Sequence, residues 1–231
     1  MTWWKNHPIR LVQTNIREID MQNLPVRKII QDLKEFHANT LIFNAAGLVA
    51  NYRTELEYHF INPYLSGETL AELTAACHHE GIRVIGRGDF SRIRRCIWEK
   101  HPEWAYISPD DRINEYHGDI NVCFMSWYQQ EYAFRIMEEM LQKLDLDGIF
   151  LNNTEFMSGF DYRNGWMGRC HCPSCRKAFY ERFQEEIPEE GDLDSPAAQK
   201  YRRFQAEAVE AYRQKLLALK RMKPDICITM I

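Results

Sequence analysis

Five short apolar runs, separated by stretches of helical periodicity, constrain this chain more than any other feature. The runs are Ile9–Asn15, Thr40–Asn44, Ile82–Gly86, Asp147–Asn152 and Ile226–Ile231. Helices are predicted between them, from about Pro25 to Phe36, Thr69 to Glu80, Gln129 to Leu144, Arg176 to Phe183 and over 197–221. The first carries Val26, Ile29, Ile30 and Leu33 on one face. The second stops at Gly81, a good C-terminal signal. Apolar strands alternating with helices imply a parallel sheet with both faces covered. An open doubly wound sheet and a (β/α)8 TIM barrel both meet that description. No G-x-G-x-x-G follows any run, and Gly86-Arg87-Gly88 lacks the third glycine of a dinucleotide site. The barrel is therefore the expected fold. A barrel takes about 250 residues and eight strands, whereas five strands fill these 231 residues. The expectation is one barrel domain over 1–231, truncated after about five strands.

Ligands bind at the C-terminal ends of parallel strands in both architectures. Polar residues gather there. Asn15, Arg17 and Asp20 follow the first run, and Asn44 ends the second. Arg87 and Asp89 follow the third, and Asn152, Asn153 and Glu155 the fourth. Tyr52, Tyr116 and His117 are further loop candidates. Each could hydrogen-bond a polar ligand, and each could equally cap a helix or join a loop salt bridge. His78 and His79 read as surface residues of a helix.

Four cysteines carry a second signal. Cys170-His171-Cys172-Pro173-Ser174-Cys175 is a C-x-C-P-x-C run, and Cys123 lies upstream. Thiolates at this spacing can face one point, and zinc takes four such ligands in a tetrahedron. A loop over 156–185 would form a zinc-binding insertion, with His171 an alternative fourth ligand to Cys123. Four protein ligands close a site, which makes the expected Zn2+ structural. Seven cysteines with one tight trio suit metal binding in a reducing, cytoplasmic compartment better than a disulfide scaffold. The net charge of −4 and the lack of a basic stripe argue against nucleic acid. No apolar run is long enough to span a bilayer. Six Trp, eleven Tyr and twelve Phe suit a sugar cleft as well as a core. An unpaired sheet edge would encourage a homo-oligomer.

Several segments together resemble the hypothetical glycosyl hydrolase 6 family. They are Gln13–Asp20, His37–Thr40, His101-Pro102-Glu103-Trp104, Asp147–Asn152 and Cys170–Phe179. More distantly the chain resembles family 42 β-galactosidases and family 29 α-L-fucosidases. The family 42 resemblance implies zinc on Cys123, Cys170, Cys172 and Cys175. It also implies a carbohydrate substrate and hydrolysis of O-glycosyl bonds. That chemistry needs two carboxyl groups flanking the scissile bond. Glu155 is the candidate acid/base and Asp89 a second candidate catalytic carboxylate. Asn15, Arg17, Asn44, Arg87, Asn152, Asn153 and Tyr116 are the candidate substrate-binding residues. Family 42 carries an adjacent Asn-Glu pair where this chain reads Asn152-Asn153-Thr154-Glu155. Family 29 carries an aspartate nucleophile where Asn152 stands, and an amide cannot attack. In family 42 the second carboxylate comes from strand seven, so 1–231 alone is expected to be inactive. The alternative is a non-catalytic carbohydrate-binding or scaffold barrel with structural zinc.

Overall fold

The computed structural model describes residues 2–6, 8–66, 69–156, 160, 161, 165–191 and 193–230. Along the chain run α1 (Trp3–Asn6), β1 (Leu11–Gln13), α2 (Val26–Glu35), β2 (Thr40–Gly47), α3 (Thr69–His79) and β3 (Arg83–Asp89). Then come β4 (Arg92–Arg94), α4 (Arg95–Trp98), β5 (Glu115–Tyr116), β6 (Asp119–Asn121), α5 (Ala133–Leu144) and β7 (Gly148–Asn152). The last are β8 (Phe160–Asp161), β9 (Gly165–Trp166), α6 (Pro173–Phe183), α7 (Pro196–Leu216) and β10 (Cys227–Met230). The chain divides into two compact units, one of 1–89, 135–152 and 218–231, the other of 90–134 and 153–217.

The first unit holds all five expected strands in one parallel sheet, ordered β1-β2-β3-β7-β10. The sheet is curled as half a barrel, in agreement with part of a (β/α)8 fold. Side chains alternate across it. Leu41, Phe43, Val84, Ile149 and Leu151 are fully buried on one face. Gly86 shares that face, and a Cβ there would lie 2.5 Å from Leu146 Cδ1. Absence of a side chain at Gly86 lets helix and sheet approach closely, which accounts for the lone G-x-G better than a phosphate cradle does. The opposite face carries Ile42, Ile85 and Phe150, on which Trp3 packs.

Strand ends differ from the sequence expectation. β2 runs on to Gly47 and β3 to Asp89, with a register shift between Asn44 and Ala46. Gly47 has φ +128°, and a Cβ there would meet the Asp89 carbonyl oxygen at 2.1 Å. Only glycine permits that crossing. β1 is shorter than expected because its edge faces solvent, with Leu11 44% exposed.

The second unit contains elements the periodicity did not disclose. The stretch between β3 and α5, where no element was expected, holds an antiparallel sheet, β4-β6-β5. Its strands have only two or three residues, too few to show alternation. The helix expected from Gln129 opens as a π turn over Tyr128–Tyr132. α6 starts at Pro173 rather than Arg176, because Cys172 caps it and proline suits the first turn. Among the described residues no helix is long and apolar enough to cross a membrane.

Candidate functional site

The C-terminal ends of β1, β2, β3 and β7 bring five of the expected polar residues into one layer. Register pairs Asn44 with Arg87, Arg87 with Phe150, and Asp89 with Asn152. The Asn152 amide donates to Asp89 Oδ2 at 2.6 Å. Arg87 Nη1 donates to the Asn15 and Asn44 side-chain oxygens, at 3.3 and 3.4 Å. These are long contacts to neutral groups. Arg87 Nε is buried with no partner among the described residues. Asn15, Asn44, Arg87, Asp89 and Asn152 thus form a polar mouth around a lightly held guanidinium.

Two residues that sequence reasoning missed hold this mouth in shape. The Asn44 amide donates to the Ile16 carbonyl at 3.0 Å. Asn51 Nδ2 donates back to the Asn44 carbonyl at 2.9 Å. Asn62 Nδ2 donates to Asn51 Oδ1 at 2.7 Å and to the Glu18 carbonyl at 3.0 Å. Asn51 and Asn62 are buried, so each amide must be satisfied within the fold. Paired asparagines in a loop following a strand were the available signal. Tyr52, a loop candidate, is buried with its ring 5.8 Å from that of His59. Burial pushes the His59 pKa down to about 3.

Arg17 lies outside the mouth's hydrogen bonds. It pairs with Asp20 at 2.7 Å and is 76% exposed. In the second unit, Tyr116 lies under the Arg92 guanidinium, 4.7 Å from the ring centroid, and against His117. Asn153 adopts φ +56° and donates to Ser91 Oγ at 3.4 Å. Glu155 is exposed and lines a depression of about 500 Å³ with Phe156, Val209, Glu210 and Arg213.

At the opposite ends of the strands the charges are paired. Asp147 precedes β7 and is buried. Its carboxylate accepts from Arg83 Nη1 at 2.7 Å, the Val84 amide at 2.9 Å and His78 Nε2 at 2.8 Å. Burial alone would raise its pKa; the Val84, His78 and Arg83 bonds outweigh burial and hold it below the ordinary value. His78, expected as a surface residue, is a member of this network.

The four expected cysteines converge in the second unit. Cys123, Cys170, Cys172 and Cys175 are all buried, and their sulfurs lie within 4.8 Å of one another. Cys123 and Cys175 Sγ approach to 3.3 Å. Zinc–thiolate bonds of about 2.3 Å in a tetrahedron place sulfurs about 3.8 Å apart, so the set has the dimensions for one ion. The backbone fixes it. Cys172 Sγ accepts from the Cys175 amide at 3.5 Å, and Cys123 Sγ from the Met125 amide at 3.3 Å. Tyr106, Met167, Phe179, Ile187, Tyr201 and Phe204 wall it in. Burial, then the neighbouring Cys170 and Cys172 thiols, push the Cys123 pKa up. Hydrogen bonding with Cys123, Cys170 and Cys172 pushes Cys175 up. Bonds from Cys123, Cys170 and Cys175 push Cys172 down. A bound cation would let all four ionise together. The His171 ring is not in the set; its Nε2 is buried without a partner among the described residues.

Known proteins bear on both regions. The family described as hypothetical glycosyl hydrolase 6 matches residues 25–153, more than half of the chain. The β-galactosidase BglY of Alicyclobacillus acidocaldarius is 26% identical over 114 residues, covering 49% of this chain and 16% of its own. The α-L-fucosidase isoenzyme 2 of Paenibacillus thiaminolyticus superposes with a TM-score of 0.67 at 21% identity, over 97% of this chain and 32% of that one. Gan42B, a GH42 β-galactosidase of G. stearothermophilus, gives 0.66 at 20% identity, over 94% and 34%. The two solved structures establish the shared fold. This chain spans about a third of their length and about a sixth of the curated β-galactosidase.

Proposed function

This chain belongs to the hypothetical glycosyl hydrolase 6 family, and we propose that its complete form hydrolyses O-glycosyl bonds of a carbohydrate. The observation that carries the reading is the polar mouth of Asn15, Asn44, Arg87, Asp89 and Asn152 at the C-terminal strand ends. Barrel enzymes work at that end. Amides and a guanidinium suit sugar hydroxyls, which both donate and accept hydrogen bonds.

In this reading Glu155 protonates the glycosidic oxygen as the sugar–oxygen bond breaks. A second carboxylate attacks the anomeric carbon or takes a proton from the attacking water, so that the bond to the leaving group is replaced in the end by one to the water oxygen. Asp89, oriented by Asn152, is the second candidate carboxylate within this segment. Arg87, Asn15, Asn44, Asn152, Asn153 and Tyr116 bind and orient the sugar. The four cysteines hold one structural Zn2+, which fixes the Cys123 loop to the start of α6 and leaves no coordination position for catalysis.

The test is Glu155→Gln in the full-length protein, assayed on aryl glycosides. Turnover should fall by about a thousandfold or more; unchanged turnover removes Glu155 from the chemistry. The segment 1–231 should not turn over by itself. Zinc is tested by elemental analysis of protein purified without added metal. About one equivalent per chain, lost in Cys172→Ser, is expected. A folded, metal-free wild-type protein refutes the assignment.

A second reading, a carbohydrate-binding barrel without catalysis, draws on position 152. An amide stands there and is engaged with Asp89. Sugar binding without turnover in the full-length protein would select it.

A further inference from the structure

We propose that the mouth of the sheet takes an anionic sugar, a uronosyl unit whose carboxylate is held by Arg87. This inference rests on the carbohydrate reading above and narrows its substrate class.

The argument starts from an imbalance of charge. Arg87 is only partly exposed, and it sits mid-layer on β3 between Asn44 of β2 and Phe150 of β7. A guanidinium removed from water normally acquires a carboxylate partner, because its desolvation is otherwise uncompensated. Among the described residues Arg87 has none. Its hydrogen-bond partners are two neutral amide oxygens at 3.3 and 3.4 Å. The carboxylate on its own strand, Asp89, is engaged by Asn152 at 2.6 Å. Nε, one of the two N–H directions that make a bidentate fork, is buried and has no partner among the described residues. Arg83, two turns of the pleat earlier on the same strand, is by contrast bound to Asp147 at 2.7 Å.

An incoming carboxylate would supply what is missing. It is planar, carries the opposite charge, and matches the Nε/Nη edge of a guanidinium. The amides of Asn15, Asn44 and Asn152 around it remain suited to the hydroxyls of the same sugar ring. A neutral hexose would leave the charge uncompensated, and a free carboxylic acid would leave the amides unused. A uronic acid uses both.

Binding is read by calorimetric titration of the 231-residue chain with glucuronate, galacturonate, glucose, galactose and acetate. The expected result is at least about tenfold tighter binding of one uronate than of its neutral parent, the size of one added charge-assisted contact. Acetate should bind more weakly than the uronate by a similar factor. Arg87→Met should abolish the preference, and Arg87→Lys should keep part of it. The wild-type comparison of uronate with neutral sugar stands even if a variant fails to fold. Equal affinity for uronate and neutral sugar overturns this inference alone and leaves the carbohydrate reading intact. So does a preference that survives Arg87→Met, or acetate binding as tightly as the uronate. Absence of binding by any sugar overturns this inference, while the carbohydrate reading is decided separately by turnover of the full-length protein.

Discussion

The two ends of the parallel sheet treat charge in opposite ways. At the N-terminal ends, buried Asp147 is bound by Arg83, the Val84 amide and His78. There Asp147 has its counter-charges, and the network ties α3, β3 and the start of β7 together. At the C-terminal ends, Arg87 keeps a buried Nε with no partner among the described residues, and long bonds to amides. One sheet, with one alternation of side chains, has a saturated base and an unsaturated mouth. Saturation serves stability; an unsatisfied charge costs stability and persists where a ligand is meant to complete it.

The largest expected effect sharpens the comparison through pH. His59, in the loop supporting the mouth, is held neutral down to about 3 by burial. Its folded pKa lies below the unfolded value of about 6.5. Its contribution is therefore fully present above about 6.5 and is lost as pH falls toward 3, by about 5 kcal/mol in all. Urea denaturation across that range should show the loss, and His59→Phe should flatten the upper part of it. Asp147 also has a lowered folded pKa. Its contribution is present above the unfolded value of about 3.9 and disappears below it. The base should thus fail only in stronger acid than the loop.

Next in size is Asp147→Ala, which strips the base of its shared acceptor. Stability should drop by about 3 kcal/mol, seen as a lower urea midpoint at pH 7. A drop below about 1 kcal/mol would mean the base is not the saturated end. Arg87→Met makes the reciprocal change at the mouth. No protein carboxylate loses its partner, so stability should stay within about 0.5 kcal/mol of the parent. A loss as large as that of Asp147→Ala would erase the distinction between the ends. Smallest of all is Lys34→Ala, which breaks an exposed pair with Glu80. A change of about 0.5 kcal/mol or less is expected in the same denaturation.

Legibility varied with the length of the signal. The runs at Thr40–Asn44 and Asp147–Asn152 were readable as strands because continuous apolar sequence has few alternatives in a covered sheet. The C-x-C-P-x-C spacing pointed to Cys170, Cys172 and Cys175, the family 42 resemblance chose Cys123 over His171 as the fourth, and these four do meet. β4, β5 and β6 were illegible, since two or three residues carry no period. His78 was misplaced because its partner Asp147 is 69 residues away. Asn62 was missed for the same reason, its bond to Glu18 spanning 44 residues, whereas Asn51 reaches back only seven residues to Asn44 across a turn that carries no period.

Sequence by itself determined the alternation of strand and helix, the parallel sheet that follows from it, the polar character of its C-terminal ends and the cysteine trio. All of these depend on neighbours within a few residues, whose spacing the covalent chain fixes. Tertiary structure alone decided which charges found partners. It gave Asp147 to Arg83 and His78, gave Asp89 to Asn152, and left Arg87 with amides. The physical reason is that pairing depends on register between strands and on the solvent each pair loses, and neither quantity is written in local sequence.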